Sequence, residues 1–265
     1  MNQNDYKAAF DSVKFSENFE QETIEYLHCA AESKTKKESY QMKIQKFFRT
    51  PAIVATLVAV LLISAFAVWT LLSPKEVATK AGDFALANAF DSADAVVMNQ
   101  SVQTGDYTVT LGGIVSGKGL TDYCEEAQKD KSYIVASVAY TDGREIKQAG
   151  DVGFTFTPLV AGYKPWQVNA WTLSGGYSSF VYEGVNYFLF ECSNIEIFAD
   201  HTVYLAAYQG GDVPSAETFT MGENGEISFA EGFHAPHAMF TLPLDVTKAN
   251  PTAVSQLLAE IGITK

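Results

Sequence analysis

Apolar positions fall into three patterns along this chain. From Ala52 to Leu72 they form a run of twenty-one residues without a charged side chain, AIVATLVAVLLISAFAVWTLL. At the α-helical rise this run is about 31 Å long, close to the hydrocarbon thickness of a bilayer. A surface helix of a soluble domain is apolar on one stripe only, so the pattern predicts a single transmembrane helix over 52–72. Thr50 suits its N-cap and Pro51 its first position. Phe47, Phe48 and Trp69 sit where aromatic rings favour the membrane–water boundary.

Before the run, apolar residues recur at helical spacing. Tyr6, Phe10 and Val13 mark one short helix. Phe19, Ile24, Leu27 and Ala31 mark a second, capped by Ser16. Residues 1–51 are too few to bury a full core. Their stripe could pack on itself, lie on the membrane or dock on a partner protein, or the arm could be a weakly ordered stalk; for docking, Tyr6, Phe10, Phe19, Ile24 and Leu27 are the candidate partner-binding surface.

After the run the period changes. Residues 73–98 predict a juxtamembrane tether or short helix, with Val77, Ala81, Phe84, Ala85, Ala89 and Ala93 apolar. Strand-like runs follow at Tyr107–Leu111, Tyr133–Tyr140, Gly153–Thr157, Trp166–Leu173, Ser178–Tyr182, Tyr187–Phe190, Val203–Tyr208, Glu226–Phe229 and Ala238–Leu244. Asp142-Gly143, Gly175-Gly176, Gly210-Gly211 and Asn224-Gly225 punctuate them as turns. Asn250, Pro251, Val254, Leu257, Leu258 and Ile261 predict a capped C-terminal helix. The expected fold class is thus mainly β: an immunoglobulin-like β-sandwich ectodomain over 99–265 with a C-terminal helix, preceded by one transmembrane helix and a short helical arm.

Charge gives this layout a direction. Residues 1–51 hold eight basic and eight acidic side chains, and the remainder holds ten basic and twenty-three acidic. Lys34, Lys36, Lys37, Lys43, Lys46 and Arg49 crowd the N-terminal flank of the run, against Lys75 and Lys80 on the other side. The positive-inside rule then predicts a cell-membrane protein with a cytoplasmic N-terminus and an extracellular C-terminal domain. The small-residue site Ala65-Phe66-Ala67 lies inside the apolar run, which favours an uncleaved anchor. The excess acidity of the outer part argues against nucleic acid as its partner. Cys124 and Cys192 fall in a compartment that permits disulfides and are the candidate pair, while the Cα separation that such a bond requires is not carried by sequence.

No catalytic constellation emerges, and neither a cofactor nor a metal is expected. Gly112-x-x-x-x-Gly117-Lys118 matches part of a phosphate-binding loop. However, Gly119 replaces the required Ser or Thr and no helix pattern follows, so a glycine-rich strand turn is expected. His234-x-x-His237, with Glu231 nearby and His201 remote, lacks a recognisable ligand set. The aromatic pair Trp166 and Trp171 reads as core packing, with one ring free to face solvent. Asn99-Gln100-Ser101 matches a glycosylation acceptor.

Three phrases carry a resemblance: MNQNDYKAAFDSVKFSENFEQETIEYL at the start, VMNQSVQTGDYTVTLGGIVSG after the span, and HAMFTLPLDVTKANPTAVSQLLAEIG at the end. Together they resemble a family of uncharacterised single-pass proteins of Gram-positive bacteria, often described as anti-sigma-factor-like. The resemblance implies a membrane-anchored regulator. Its cytoplasmic helices would engage an extracytoplasmic-function sigma factor, and its outer domain would sense an envelope ligand. The chain departs from zinc-binding anti-sigma domains: His28 adjoins the lone Cys29 and no Cys-x-x-Cys pair follows. The alternative expectation is an anchored extracellular binding or adhesion module with no signalling role.

Overall fold

The computed structural model describes residues 69–117, 130–211 and 213–263. The arm with its stripe (Tyr6, Phe10, Phe19, Ile24, Leu27), most of the apolar run and Cys124 lie outside the described residues. Among the described residues no helix is long and apolar enough to cross a membrane. The last four residues of the run are described, and they correct the predicted helix end. Trp69–Leu72 are not helical. The Trp69 indole N–H donates to the Tyr140 carbonyl at 3.2 Å, and the Leu72 amide donates to the Tyr187 hydroxyl at 3.1 Å.

Two short helices follow where a tether or one short helix is expected. Helix α1 spans Pro74–Lys80 and α2 spans Phe84–Ala89. Ser73 and Glu76 form a reciprocal capping box on α1, with Pro74 at its first position. Asp83 caps α2 by accepting from the Leu86 amide at 2.8 Å. Both helices lie on the outer face of a sheet. Val77, Ala78, Leu86, Ala87, Ala89 and Phe90 are buried in one cluster with Tyr133, Val135, Val185 and Tyr187, and Trp69, Leu71 and Leu72 pack at its margin.

The rest is mainly β, with antiparallel sheets and a C-terminal helix. The strands are β1 (Val96–Thr104), β2 (Tyr107–Ser116), β3 (Lys131–Tyr140), β4 (Phe154–Val160), β5 (Gly176–Tyr182), β6 (Val185–Ser193), β7 (Val203–Gln209), β8 (Phe219–Met221), β9 (Ile227–Phe229) and β10 (His237–Thr241). One sheet runs β1-β2-β3-β6-β5, a second runs β10-β7-β4, and β8-β9 form a hairpin. The inner faces of the two larger sheets share one core. Leu111, Ile134 and Phe188 come from the first, and Phe156, Leu205 and Phe240 from the second. Phe156 meets Phe188 across it at 4.7 Å between ring centroids.

Helix α3, Pro251–Glu260, is capped by Asn250 as the sequence predicts. It packs Val254 and Leu258 into the same core. Nearby, Lys248 bonds Glu196 at 2.7 Å and lies 3.6 Å from Asp94, tying the approach of α3 to the start of β1. Burial opposes the Lys248 charge, but Glu196 and Asp94 together hold the ammonium above its ordinary pKa.

Gly112 and Gly113 lie within β2, where the register to β3 slips between Leu111 and Gly113. A Cβ on Gly113 would sit 2.8 Å from the Val96 carbonyl and 3.0 Å from Pro74 Cγ, so glycine lets β1 and α1 approach together. Gly112 and Gly113 are thus residues within a strand rather than in the turn expected, and Lys118 lies outside the described residues.

Candidate recognition surface

The segment Trp166–Leu173, expected as a strand, forms turns within the β4–β5 connection. Asn169 is the reason. Its buried side chain takes up the amides that a ladder would need: Oδ1 accepts from Trp171 at 2.9 Å and Thr172 at 3.3 Å, while Nδ2 donates to the Pro165 carbonyl at 2.9 Å. The Ala170 amide donates to Thr157 Oγ1 on β4 at 2.8 Å, and the Ser193 amide of β6 donates to the Leu173 carbonyl at 2.8 Å. Val168, Ala170 and Leu173 point into the core.

A loop held this firmly presents its tryptophans outward. Trp166 is 43% exposed, Trp171 45%, and Tyr177 at the start of β5 57%. This corrects the expectation of core packing, since both indoles face solvent rather than at most one. Large aromatic side chains normally contribute their area to a core, so two left partly exposed on one anchored loop make it the candidate contact surface. The loop also has a defined place. Tyr107 on β2 packs against Tyr140 at 5.1 Å and against Phe154, the first residue of β4, at 5.3 Å. Strand β4 then runs about 20 Å before the loop begins. Trp69, bound at Tyr140, and the tryptophan loop therefore occupy opposite ends of the sheets.

Next to the start of β5 lies an open groove of about 450 Å³ between α2 and the outer face of the first sheet. Asp83 and Leu86 form one wall, Ser178 of β5 the other, and Tyr133, Leu189 and Glu191 line it between them. Glu191 is paired with Lys131 at 2.5 Å. Burial pushes the Tyr133 hydroxyl up to about 12, and Glu191, Asp83 and Asp130 add to the shift, so the phenol stays protonated in a field of carboxylates.

The other candidates disperse. Cys192 carries a free, fully buried thiol facing the core, and burial pushes its pKa well up. Its candidate partner Cys124 lies outside the described residues. His201 Nδ1 is 3.1 Å from the Ala161 carbonyl, whereas His237 Nδ1 is 2.7 Å from the Ala235 carbonyl and its ring packs on Phe229 at 4.2 Å. Among the described residues no group of three or more His, Cys, Asp or Glu side chains is placed to hold a metal ion. Asn99 is exposed on β1 at a bulge, with φ at 51°. No family model matches the chain, and neither a curated protein nor a solved structure matches it.

Proposed function

We propose that this protein is a membrane-anchored extracellular recognition module, with an immunoglobulin-like sandwich as its body and the tryptophan loop as its ligand-facing element. The observation that carries this reading is the rigid exposure of Trp166 and Trp171 at the end opposite Trp69. The loop thus lies at the end of the domain remote from Trp69, where a ligand of the envelope can reach it. The strand order supports the immunoglobulin-like body. Taken alone, β2-β3-β6-β5 against β4-β7-β10 repeats the ABED and CFG order of that fold, with β1 added at one edge. Neither the inter-sheet disulfide nor the core tryptophan of antibody domains has a counterpart on these strands.

The test compares the full chain with a Trp166→Ala/Trp171→Ala variant for retention on isolated cell envelopes, with thermal unfolding as the folding control. Loss of retention in a folded variant is expected. Equal retention overturns the assignment.

A second reading is a regulator whose arm engages an extracytoplasmic-function sigma factor through Tyr6, Phe10, Phe19, Ile24 and Leu27. The joint at Trp69 and Leu72 favours it, because bonds to Tyr140 and Tyr187 leave little slack between the apolar run and the sheet. Deleting residues 2–33 is expected to change transcription from sigma-dependent promoters while envelope retention persists. Unchanged transcription leaves only the recognition role.

A further inference from the structure

Sheet edges expose unpaired backbone N–H and C=O groups, and proteins usually protect them with prolines, bulges, charges or cover. Of the four outer strands of the two larger sheets, three carry such a device. Strand β4 has Pro158 in its middle. Strand β1 is bulged between Val97 and Gln100, and its last residue, Thr104, accepts a hydrogen bond from the His237 amide of β10 at 2.7 Å, which joins those two edges at one end.

Strand β5 is different. Its seven residues, GYSSFVY, include no charge and no proline, and all seven pair with β6 without a register break. The turn that joins the two, Glu183-Gly184, has both residues at positive φ, the geometry that favours a tight, well-registered hairpin. Among the described residues β6 is its only ladder partner. The edge is thus unbulged, uncharged and, among the described residues, without a second ladder partner. It begins at the groove of Asp83, Tyr133 and Glu191, beside exposed Tyr177 and a few residues from Trp171.

We propose that the open edge of β5 binds an extended segment of a partner protein as an added strand, with a lysine or arginine of that segment seated in the groove of Asp83, Tyr133, Ser178 and Glu191. This rests on the recognition reading above and names its partner class. The backbone of β5 supplies the affinity common to strand addition, and the groove and neighbouring aromatic rings supply selectivity. Charge selects a basic segment. The chain beyond residue 51 holds twenty-three acidic and ten basic side chains. The two groove carboxylates keep acceptor positions beyond the cap of α2 and the bond to Lys131. A second copy of this chain would bring the same excess of negative charge to the edge, which opposes self-pairing.

The test uses the full chain in lipid nanodiscs. The probe is a peptide of about ten alternating Thr and Val residues carrying one Lys. One control replaces the Lys with Glu, and another is N-methylated at every second residue on the face that would pair. Binding of the Lys peptide is expected, together with slowed amide exchange in 176–182. Each control is expected to bind about tenfold more weakly. Ser178→Pro and Ser179→Pro complete the set. Successive N–H groups of a strand point to opposite sides, so one of the two removes an outward donor and leaves the ladder to β6 intact. That folded variant is expected to lose peptide binding.

Binding unaffected by N-methylation, or by both prolines, overturns strand addition, and equal binding of the Glu peptide overturns the groove's part in it. Protection of 176–182 without peptide that rises with protein concentration means that a second copy covers the edge, which also overturns the proposal. Absence of peptide binding while envelope retention still depends on Trp166 and Trp171 overturns this inference alone. Loss of that dependence counts against the recognition reading itself.

Discussion

Tyr133 shows how one side chain reports its surroundings. Its hydroxyl is pushed up to about 12 by burial and by the carboxylates around the groove, against an ordinary tyrosine near 10 in the unfolded chain. Between about pH 10 and 12 the folded state therefore binds more protons than the unfolded one, and stability falls as pH rises through that window. Tyr133→Phe is expected to flatten the loss, measured by denaturant unfolding at pH 9, 10 and 11. A variant as pH-sensitive as the parent would place the cause elsewhere. Cys192 offers a simpler check. Its thiol is fully buried and its ionisation disfavoured. In a Cys29→Ser/Cys124→Ser background, a thiol reagent is expected to label it only in denaturant. Rapid native labelling would contradict its place in the core.

At the scale of elements, the loop between β4 and β5 depends on Asn169. Truncation by Asn169→Ala strands the amides of Trp171 and Thr172 and the carbonyl of Pro165, at an expected cost of about 2–3 kcal/mol in chemical unfolding. Leu86 is the corresponding anchor of α2. It is fully buried under the first sheet, and Leu86→Ala is expected to cost about 2–4 kcal/mol. These two elements also show where the sequence is transparent and where it is not. Strands β3 and β7 and the cap of α3 follow from composition and capping residues, because local preference and burial agree there. The segment Trp166–Leu173 has strand-like residues, but Asn169 captures its amides locally and a turn wins. Strand β1 shows no clear pattern, since most of its side chains remain exposed. Gly82 and Asp83 divide what reads as one helix into α1 and α2. The exposed aromatic pair was visible as residues but not as a surface: exposure depends on which side of the loop is anchored, and Val168, Ala170 and Leu173 decide that only through tertiary contacts.

At the scale of the whole molecule, the end of the apolar run belongs to the β domain. Trp69, Leu71 and Leu72 are half-buried at the margin of the cluster beneath α1 and α2, and two hydrogen bonds fix them to β3 and β6. Partial burial of these side chains and two modest hydrogen bonds amount to about 2–4 kcal/mol of folding stability. A fragment beginning at residue 73 is therefore expected to unfold about 5–10 °C below one beginning at residue 69, followed by circular dichroism. Tyr187→Phe in the longer fragment removes the acceptor for the Leu72 amide and is expected to recover about 1 kcal/mol of that difference. In the fragment from 73 the same substitution is expected to have a smaller effect, because the Leu72 amide is already gone. This non-additivity identifies the joint itself, as distinct from general damage to the sheet. If both fragments unfold together and Tyr187→Phe acts equally in each, the run is merely attached to the domain and a pull at Trp69 has no route into β3 and β6.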